Sequence, residues 1–320
     1  MKKLLAIVVL ALTAFVSAKA YEYITVDGIG YYINSDEKTL TVTYLNAQQE
    51  HIYYSGKITI PATVVHNGKE YKVVTIGNSA FKDCENVTSV SMPLTLTKIG
   101  DSAFKGCTGM YTATIGNMVT SIEAGAFAGC SKLMGVTIPS KVTKISSGAF
   151  KGCNNLTVMR VEDGNTMFDS RDQCNAIINK SSNKLVAGCK TTVIPASVTS
   201  IGEYAFADIS ELTEVSIPAS IRSIERQAYS GCPLTSVTSL ATTPPSLSAD
   251  AFDDAVYDAA ALNVPGAAVA SYKSADNWKN FKRILNVDAA PVYPDVNRDG
   301  KVDVLDINIV INAVLGQIDY

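Results

Sequence analysis

The sequence contains very little histidine and no surplus of positive charge. Its 320 residues include two histidines, His51 and His66, which lie in unrelated local contexts. Most histidine-based metal sites and most Ser-His or Cys-His nucleophile pairs are therefore disfavoured. Lysine and arginine number 27 against 30 aspartates and glutamates, a formal charge of −3, and they form no basic block. Nucleic acid and anionic membranes are consequently poor candidate partners.

Long apolar segments are also scarce. Residues 4–16 are mostly apolar, follow two lysines, and precede Ala18 and Ala20, which match the A-x-A cleavage pattern. We predict that residues 1–20 are a signal peptide and that the mature protein is exported. The alternative is an anchor helix, but the segment is shorter than the ~20 residues of a membrane span. Secretion, the cell surface and the periplasm all remain open, and no later transmembrane segment is predicted.

Catalytic motifs are missing as well. The glycine-rich stretches lack the lysine and serine or threonine of a phosphate-binding loop. Glycoside hydrolysis needs two carboxyl groups flanking one bond, and the sequence singles out no such pair. We therefore predict a protein that is not an enzyme, with glycoside processing as the remaining enzymatic alternative.

Internal repetition is the strongest signal in the chain. The block I-x-x-x-A-F recurs with its aromatic residues spaced by 23, 23, 23, 56, 23 and 23 residues. The blocks end at Phe81, Phe104, Phe127, Phe150, Phe206, Tyr229 and Phe252. The spacing of 56 equals one repeat plus a 33-residue insertion, which we place at 158–190.

The third repeat shows how each unit folds. Leu133, Val136 and Ile138 form an L-x-x-L-x-L core, in which Val136 and Ile138 alternate as in a strand with both side chains buried. Pro139 ends the strand because it has no N–H to donate. The Ala149–Phe150 block is predicted to form a short helical or 3₁₀ turn. The fold class is thus an α/β solenoid, with a parallel sheet on one side and short helical turns or loops opposite.

Five of the seven cysteines follow the repeat. They occupy one repeat position and are predicted to form a buried, reduced column: Cys84, Cys107, Cys130, Cys153 and Cys232. Cys174 and Cys189 lie within the insertion. If Ser181 and Ser182 form a hairpin turn, the two cysteines face each other across the hairpin. A disulfide between them and two free thiols remain equally open.

The segments that flank the repeats are predicted to be caps, because the open end of a sheet promotes aggregation. Residues 21–60 alternate apolar and polar side chains and predict a β-rich N-terminal cap. The repeats then run over 61–239 and a C-terminal cap over 240–287. The single tryptophan, Trp278, is predicted to fill the base of that cap, with a ligand-stacking platform as the alternative.

This repeat resembles the bacterial leucine-rich repeats of the BspA type. The unit L-x-x-L-x-L-P-x-x-L-x-x-I-G-x-x-A-F-x-x-C matches the chain over about 60–252. Like that family, the chain has proline at the end of several repeat strands: Pro93, Pro139, Pro195 and Pro218. The resemblance implies a leucine-rich-repeat solenoid and surface attachment or host-protein binding.

A calcium-loop motif follows a short linker at 288–294. Asp295, Asn297 and Asp299 occupy loop positions 1, 3 and 5, and a glycine follows at position 6. The remaining candidate ligands are the Lys301 carbonyl and the carboxylates of Asp303 and Asp306. The alternative is an Asx-Gly turn without metal.

The motif and the apolar helical pattern after it resemble one half of a type I dockerin. This resemblance implies Ca²⁺ binding over 295–320 and a cohesin-like scaffold as partner. It departs from dockerins in having one such segment where they have two.

We therefore predict an exported, non-catalytic binding protein. Its outward strand positions, around 88–90, 112–114, 136–137 and 213–216, would recognise a protein or a glycan at the bacterial surface. The alternative is a component of a polysaccharide-degrading assembly, tethered by the dockerin-like segment.

Overall fold

The computed structural model describes residues 22–47 and 50–288 and divides the chain into two compact units, 1–169 and 170–320. Between them the units contain about nine turns of parallel β-solenoid with few helices. The predicted signal peptide and the predicted calcium loop lie outside the described residues. Within the described part, no helix is both long and apolar enough to cross a membrane.

Unit 1 is built from short strands. They are β1 Tyr23–Val26, β2 Ile29–Ile33, β3 Thr39–Thr43, β4 Leu45–Ala47, β5 Glu50–Ile52, β6 Gly56–Thr59, β7 Thr63–His66, β8 Lys69–Ile76, β9 Val87–Ser91, β10 Lys98–Ile99, β11 Thr112–Thr114, β12 Ser121–Ile122, β13 Gly135–Ile138, β14 Lys144–Ile145, β15 Val158–Val161 and β16 Phe168–Asp169.

Two large sheets run through unit 1, and β4 and β5 form a separate antiparallel pair. One begins with the antiparallel strands β1, β2 and β3 and continues through β8, β10, β12 and β14 in parallel, with β7 paired to β8. The other has the order β15-β13-β11-β9-β6, all parallel. Each repeat contributes one strand to each sheet, so neighbouring strands stand one repeat apart. The strand β15 continues this register at 158–161, where the insertion was predicted to begin.

Unit 2 repeats the arrangement. Its strands are β17 Ala176–Asn179, β18 Lys184–Gly188, β19 Ser200–Ile201, β20 Glu214–Ile217, β21 Ser223–Ile224, β22 Ser236–Ser239, β23 Ser246–Leu247, β24 Ala261–Val264 and β25 Arg283–Asn286. The helices are α1 Asp254–Ala259 and α2 Val269–Ser274, with 3₁₀ turns at Arg171–Gln173, Gly266–Ala268 and Trp278–Asn280. One sheet contains β17-β18-β19-β21-β23, and the other contains β20-β22-β24-β25.

Stacked aromatic rings form the centre of each unit. In unit 1, Phe81, Phe104, Phe127 and Phe150 stack with ring centroids 5.0, 5.2 and 5.4 Å apart. In unit 2, Phe206, Tyr229 and Phe252 stack at 5.0 and 5.2 Å. Every one of these rings is buried. The aromatic position of the repeat thus supplies the core, as the sequence predicts.

The five cysteines of the repeat column are buried beside these rings, as predicted. Each of the four later thiols donates a hydrogen bond to the carbonyl oxygen of the column aromatic in the preceding repeat, 26 residues earlier. The Sγ–O distances are 3.0 Å for Cys107–Phe81, 3.2 Å for Cys130–Phe104 and Cys153–Phe127, and 3.0 Å for Cys232–Phe206. The column therefore links successive turns as well as filling space.

The I-x-x-x-A-F blocks form turns where the sequence predicts short helical or 3₁₀ segments. Two positions per repeat have positive φ, and such residues interrupt a right-handed helix. One position precedes the alanine and holds Ser79, Ser102, Gly125, Gly148, Tyr204 or Gln227. The other lies four residues further on and holds Asp83, Gly106, Gly129, Gly152, Asp208 or Gly231.

Both aromatic columns are closed by larger side chains. In unit 1 the ring centroid of Tyr54 lies 4.6 Å from that of Phe81, and the Tyr54 hydroxyl donates to the Thr43 carbonyl at 2.6 Å. In unit 2 the base of the cap contains Trp278, which is fully buried and donates from Nε1 to the Pro245 carbonyl at 2.7 Å. Trp278 is therefore a core residue, and the alternative of a ligand-stacking platform is wrong.

Candidate functional site

The outward face of the sheet β6-β9-β11-β13-β15 is the candidate functional site, and we call it the unit 1 strand face. Its register places two outward columns side by side. One column holds Lys57, Ser89, Thr112, Gly135 and Val158, and the other holds Thr59, Ser91, Thr114, Thr137 and Arg160. Hydroxyl groups occupy two of the five positions in the first column and four of the five in the second, so the face presents donors and acceptors at regular strand spacing.

Some residues in the predicted outward ranges point inward. Val90 is 2% exposed and Val136 is 3% exposed, and both belong to the core. Strand alternation explains the correction, because every second residue of β9 and β13 must face the interior. Ala113 and Val215 hold the same inward register positions. The outward residues of those ranges include Ser89, Thr112, Thr114, Thr137, Glu214 and Ser216.

Sequence reasoning missed an apolar patch at the edge of this face. Tyr111 is 45% exposed, Met134 is 54% exposed and Val158 is 38% exposed. Tyr111 and Met134 occupy one repeat position, joined by a backbone hydrogen bond of 3.3 Å. Thr88 and Thr157 hold that position in the flanking repeats, so a large apolar residue in a threonine column was the available signal.

Gly135 opens a notch in the middle of the patch. A Cβ atom at this residue would meet nothing closer than the Val158 Cβ at 3.6 Å, which is ordinary contact. Neither the backbone nor crowding therefore requires glycine here, although glycine weakens a strand. A glycine in a strand often marks a place where a ligand or another backbone approaches closely.

The charges on the unit 1 strand face are positive. Lys57 and Arg160 lie at opposite ends of its columns, whose outward positions contain no carboxylate. At the margin, the Lys132 ammonium lies 5.4 Å from the centroid of the Tyr111 ring. This arrangement favours partners that offer hydrogen-bonding groups, apolar contact and modest negative charge.

The cysteine thiols are unsuited to nucleophilic chemistry. Burial raises the pKa of the Cys232 thiol to about 12, and burial also raises the pKa values of the Cys107 and Cys130 thiols above their ordinary value. A thiol with a raised pKa is protonated and inert at neutral pH. The column therefore has a packing role.

The structure places Cys174 just before β17 and Cys189 just after β18, at the open end of their hairpin, and both are buried. Near the loop, facing residues sum to 363, as in Ile178↔Leu185. A bulge between Ile177 and Ile178 changes the pairing to Ala176↔Gly188, so the two cysteines are not directly opposite. Their disulfide stays a prediction.

The predicted metal ligands lie outside the described residues: Asp295, Asn297, Asp299, Lys301, Asp303 and Asp306. Among the residues that the structure describes, no group of three or more His, Cys, Asp or Glu side chains is arranged to hold a metal ion. His66 ends β7 at a turn, where the Asn67 amide lies 3.0 Å from its Nε2. The calcium site therefore stays a prediction from the motif.

Comparison with known families decides the classification. A model of the BspA type leucine rich repeat region matches residues 69–177 and 176–256, with six copies of the repeat. The chain belongs to the BspA-type leucine-rich repeat family. This membership confirms the family and the solenoid predicted from the repeat. The matched residues include the strands β9, β11, β13 and β15 of the unit 1 strand face.

The chain is also similar to several solved structures. The pneumococcal vaccine antigen PcpA is 16% identical, with a TM-score of 0.50 over 78% of this chain and 82% of that one. A leucine rich cell surface protein from Faecalibacterium prausnitzii is 20% identical, with a TM-score of 0.41 over 84% of this chain and 95% of that one. A leucine-rich repeat protein from T. pallidum is 22% identical, with a TM-score of 0.42 over 72% and 84%. No curated protein matches the chain.

Proposed function

We propose that this protein is an exported, non-catalytic receptor that binds a protein or glycan ligand at the bacterial surface through the unit 1 strand face. The observation that carries the proposal is the composition of that face. Hydroxyl-bearing columns run beside an exposed apolar patch of Tyr111, Met134 and Val158. Membership of a family of surface leucine-rich repeat proteins supports a binding or adhesion role.

The physical argument rests on exposure. Burial of large apolar side chains against a ligand removes them from water, which is favourable. A cluster of such side chains on an exposed surface is therefore suited to ligand contact. Threonine and serine hydroxyls on a rigid sheet fix the ligand's orientation at a small entropy cost, since their short side chains have few rotamers. The regular strand spacing suits an extended ligand that crosses several repeats.

The test is a substitution in the centre of the face. Thr137→Arg inserts a long cation beside the Gly135 notch, and Thr137 is exposed, so the fold should persist. The matched control is Ser147→Arg, an exposed position of the same repeat in its turn block. Binding of the mature protein to printed arrays of oligosaccharides and extracellular proteins is the measurement. We expect at least a tenfold loss for Thr137→Arg and none for Ser147→Arg. Equal binding by both variants would move the site elsewhere.

A second proposal, calcium binding at 295–306, is supported by the sequence motif. Calorimetric titration of Ca²⁺ into the full chain should give one site, and the double variant Asp295→Ala/Asp299→Ala should abolish it. Capture of an envelope protein that requires both calcium and residues 295–320 would favour the assembly role. If the wild-type chain and the double variant both capture the envelope protein without calcium, the loop has no tethering role.

A further inference from the structure

The strand β20 is an open edge in unit 2. It pairs in parallel with β22 through Glu214↔Ser236 and Ser216↔Thr238, and no other described strand pairs with it. In unit 1 the inner strands β9, β11 and β13 each have a partner on both sides. An unpaired strand edge presents a row of backbone donors and acceptors to a second strand.

The preceding repeat does not supply the missing strand. Residues 191–194 have the sequence of a repeat strand and are followed by a proline, as β20 is. They nevertheless form no strand. Their backbone is directed toward the hairpin of β17 and β18. The Thr192 amide donates to the Cys189 carbonyl at 3.0 Å, and the Val193 amide donates to the Cys174 carbonyl at 3.1 Å. The insertion therefore leaves a gap beside β20.

A cavity occupies this gap. It has a volume of about 310 Å³ and lies between 192–194 and 214–216. The core side chains of Phe206 and Leu212 line it from the interior, and Leu240 lines its side. Val193, at its mouth, is 74% exposed. The cavity is large enough for one or two apolar side chains, and its lining is mainly apolar.

One charge at the cavity is uncompensated. Lys190 lines the cavity, but its ammonium lies 2.6 Å from the Glu211 carboxylate. Glu214 also lines it, is exposed, and forms no ion pair with any described residue. The edge of β20 is therefore acidic, and a basic side chain of a ligand would complement it.

We propose that unit 2 binds an extended segment of a partner polypeptide by strand addition to β20, with an apolar side chain in the cavity and a lysine or arginine beside Glu214. A polypeptide backbone is the occupant that matches the spacing of an open strand edge. The proposal rests on the proposed function in its protein-binding form and adds a second surface to it, with a defined ligand chemistry.

The experiment selects the ligand from random peptides. A heptapeptide phage library is panned against the full chain, and binding of the selected peptides is measured by fluorescence anisotropy. We expect sequences that combine an apolar residue with a basic one. Their affinity should fall at least tenfold in Val193→Arg and in Glu214→Lys, since both positions are exposed and line the cavity. Ala196→Arg, exposed in the same segment but outside the cavity lining, should bind as wild type does.

Hydrogen exchange then distinguishes a peptide that pairs with the β20 backbone from one that only places a side chain in the cavity. A bound peptide should slow exchange of the amides at 214–217. The proposal is overturned if no peptide is enriched, if all variants bind alike, or if exchange at 214–217 is unchanged. Thr137→Arg serves as the independent control, because it alters the unit 1 strand face and should leave peptide binding intact. Failure of panning with array binding preserved would remove this inference alone.

Discussion

The interiors of the two units are nearly the same, and their outward faces are different. The aromatic rings of unit 1 stack at 5.0–5.4 Å and those of unit 2 at 5.0–5.2 Å, with the same thiol–carbonyl hydrogen bonds beside them. Unit 1 has a five-stranded sheet with edges at β6 and β15, whereas the corresponding sheet of unit 2 has four strands and begins at β20 beside a cavity, because residues 191–194 of the preceding repeat form no strand. The repeat thus determines what each turn buries and leaves the outer residues free to vary.

The insertion accounts for much of the difference between the faces. Its hairpin accepts the amides that would otherwise extend the sheet, as the Val193–Cys174 hydrogen bond shows. The core beneath is preserved because Phe206 and Leu212 still pack with unit 2's other aromatic and aliphatic residues. A solenoid tolerates such a local change since each turn depends mainly on its neighbours.

The largest expected effect tests whether the two cores are equivalent. Phe127→Ala should lower the free energy of unfolding by about 3–5 kcal/mol, because Phe127 is fully buried between two stacked rings. Phe206→Ala should lower the free energy of unfolding by less, about 3 kcal/mol, because one side of that ring borders the cavity. Urea denaturation followed by circular dichroism measures both. Equal losses would contradict the comparison, and a loss under about 1 kcal/mol for Phe127→Ala would place that ring outside the core.

A smaller effect tests the one tyrosine in the aromatic columns. Tyr229 stands where unit 1 has phenylalanine, and its buried hydroxyl has no hydrogen-bond partner among the described residues. Burial raises its pKa well above the ordinary value, so the group stays neutral. Because a buried unsatisfied hydroxyl costs about 1–3 kcal/mol, Tyr229→Phe should stabilise the protein by about that amount.

The reverse substitution, Phe127→Tyr, is the control for Tyr229→Phe. It introduces the same hydroxyl into unit 1 and should destabilise the protein by a similar amount. Thermal melts of the two variants should therefore shift in opposite directions. A stability for Tyr229→Phe that does not exceed wild type would indicate that the hydroxyl has a partner, such as buried water.

A third comparison separates glycines required by the backbone from those that are not. Gly125 has a φ of +60° with room for a Cβ, so Gly125→Ala should cost about 1 kcal/mol from conformation alone. Gly135 has no positive φ, and a Cβ atom there would not be crowded. Gly135→Ala should therefore raise the free energy of unfolding by about 0.5 kcal/mol. Denaturant midpoints measure both. If Gly135→Ala also weakens ligand binding on the arrays, the notch is part of the site; a destabilising Gly135→Ala would contradict our interpretation of that glycine.

The buried half of the structure could be predicted because the 23-residue period superimposes the inward positions. Phe127, Cys130, Val136 and Ile138 are all buried as the pattern indicates. The positive-φ turns could not be predicted, since their first position accepts residues as different as Gly125 and Tyr204. No shared side chain marks that conformation, so the sequence suggested a helical turn.

The outer features depend on contacts between residues far apart in the chain. The edge of β20 is open because the Val193 amide donates a hydrogen bond to the Cys174 carbonyl. The sequence near Val193 does not predict that hydrogen bond. The predicted outward ranges include Val90 and Val136, although strand alternation directs both inward and the repeat pattern itself predicts that Val136 is buried. Outward residues carry little periodic signal, which is why the candidate site was predicted less well than the core.

The smallest expected effect concerns a carboxylate shared by turns of unit 1. The Glu123 carboxylate lies 2.7 Å from the Lys144 ammonium and 3.6 Å from that of Lys98. The hydrogen bond from Lys144 holds the pKa of Glu123 below its ordinary value. In unit 2 the same repeat position holds Glu225, whose carboxylate forms an ion pair with one lysine among the described residues, Lys184, and accepts the Glu203 amide at 3.1 Å. The unit 1 carboxylate should therefore contribute more to stability than its counterpart.

Glu123→Gln should lower the free energy of unfolding by about 0.5–1 kcal/mol at pH 7, and Glu225→Gln by less. A carboxyl group whose pKa is lower in the folded than in the unfolded state stabilises the fold above the unfolded pKa, about 4.3. That contribution is lost as the pH falls through the lower folded value. The stability difference between wild type and Glu123→Gln should thus shrink below about pH 4. Urea melts at pH 7 and pH 3 measure it, with exposed Glu85→Gln as the control that shows no difference at either pH. A difference that persists undiminished at pH 3 would show that Glu123 acts by packing and not by charge.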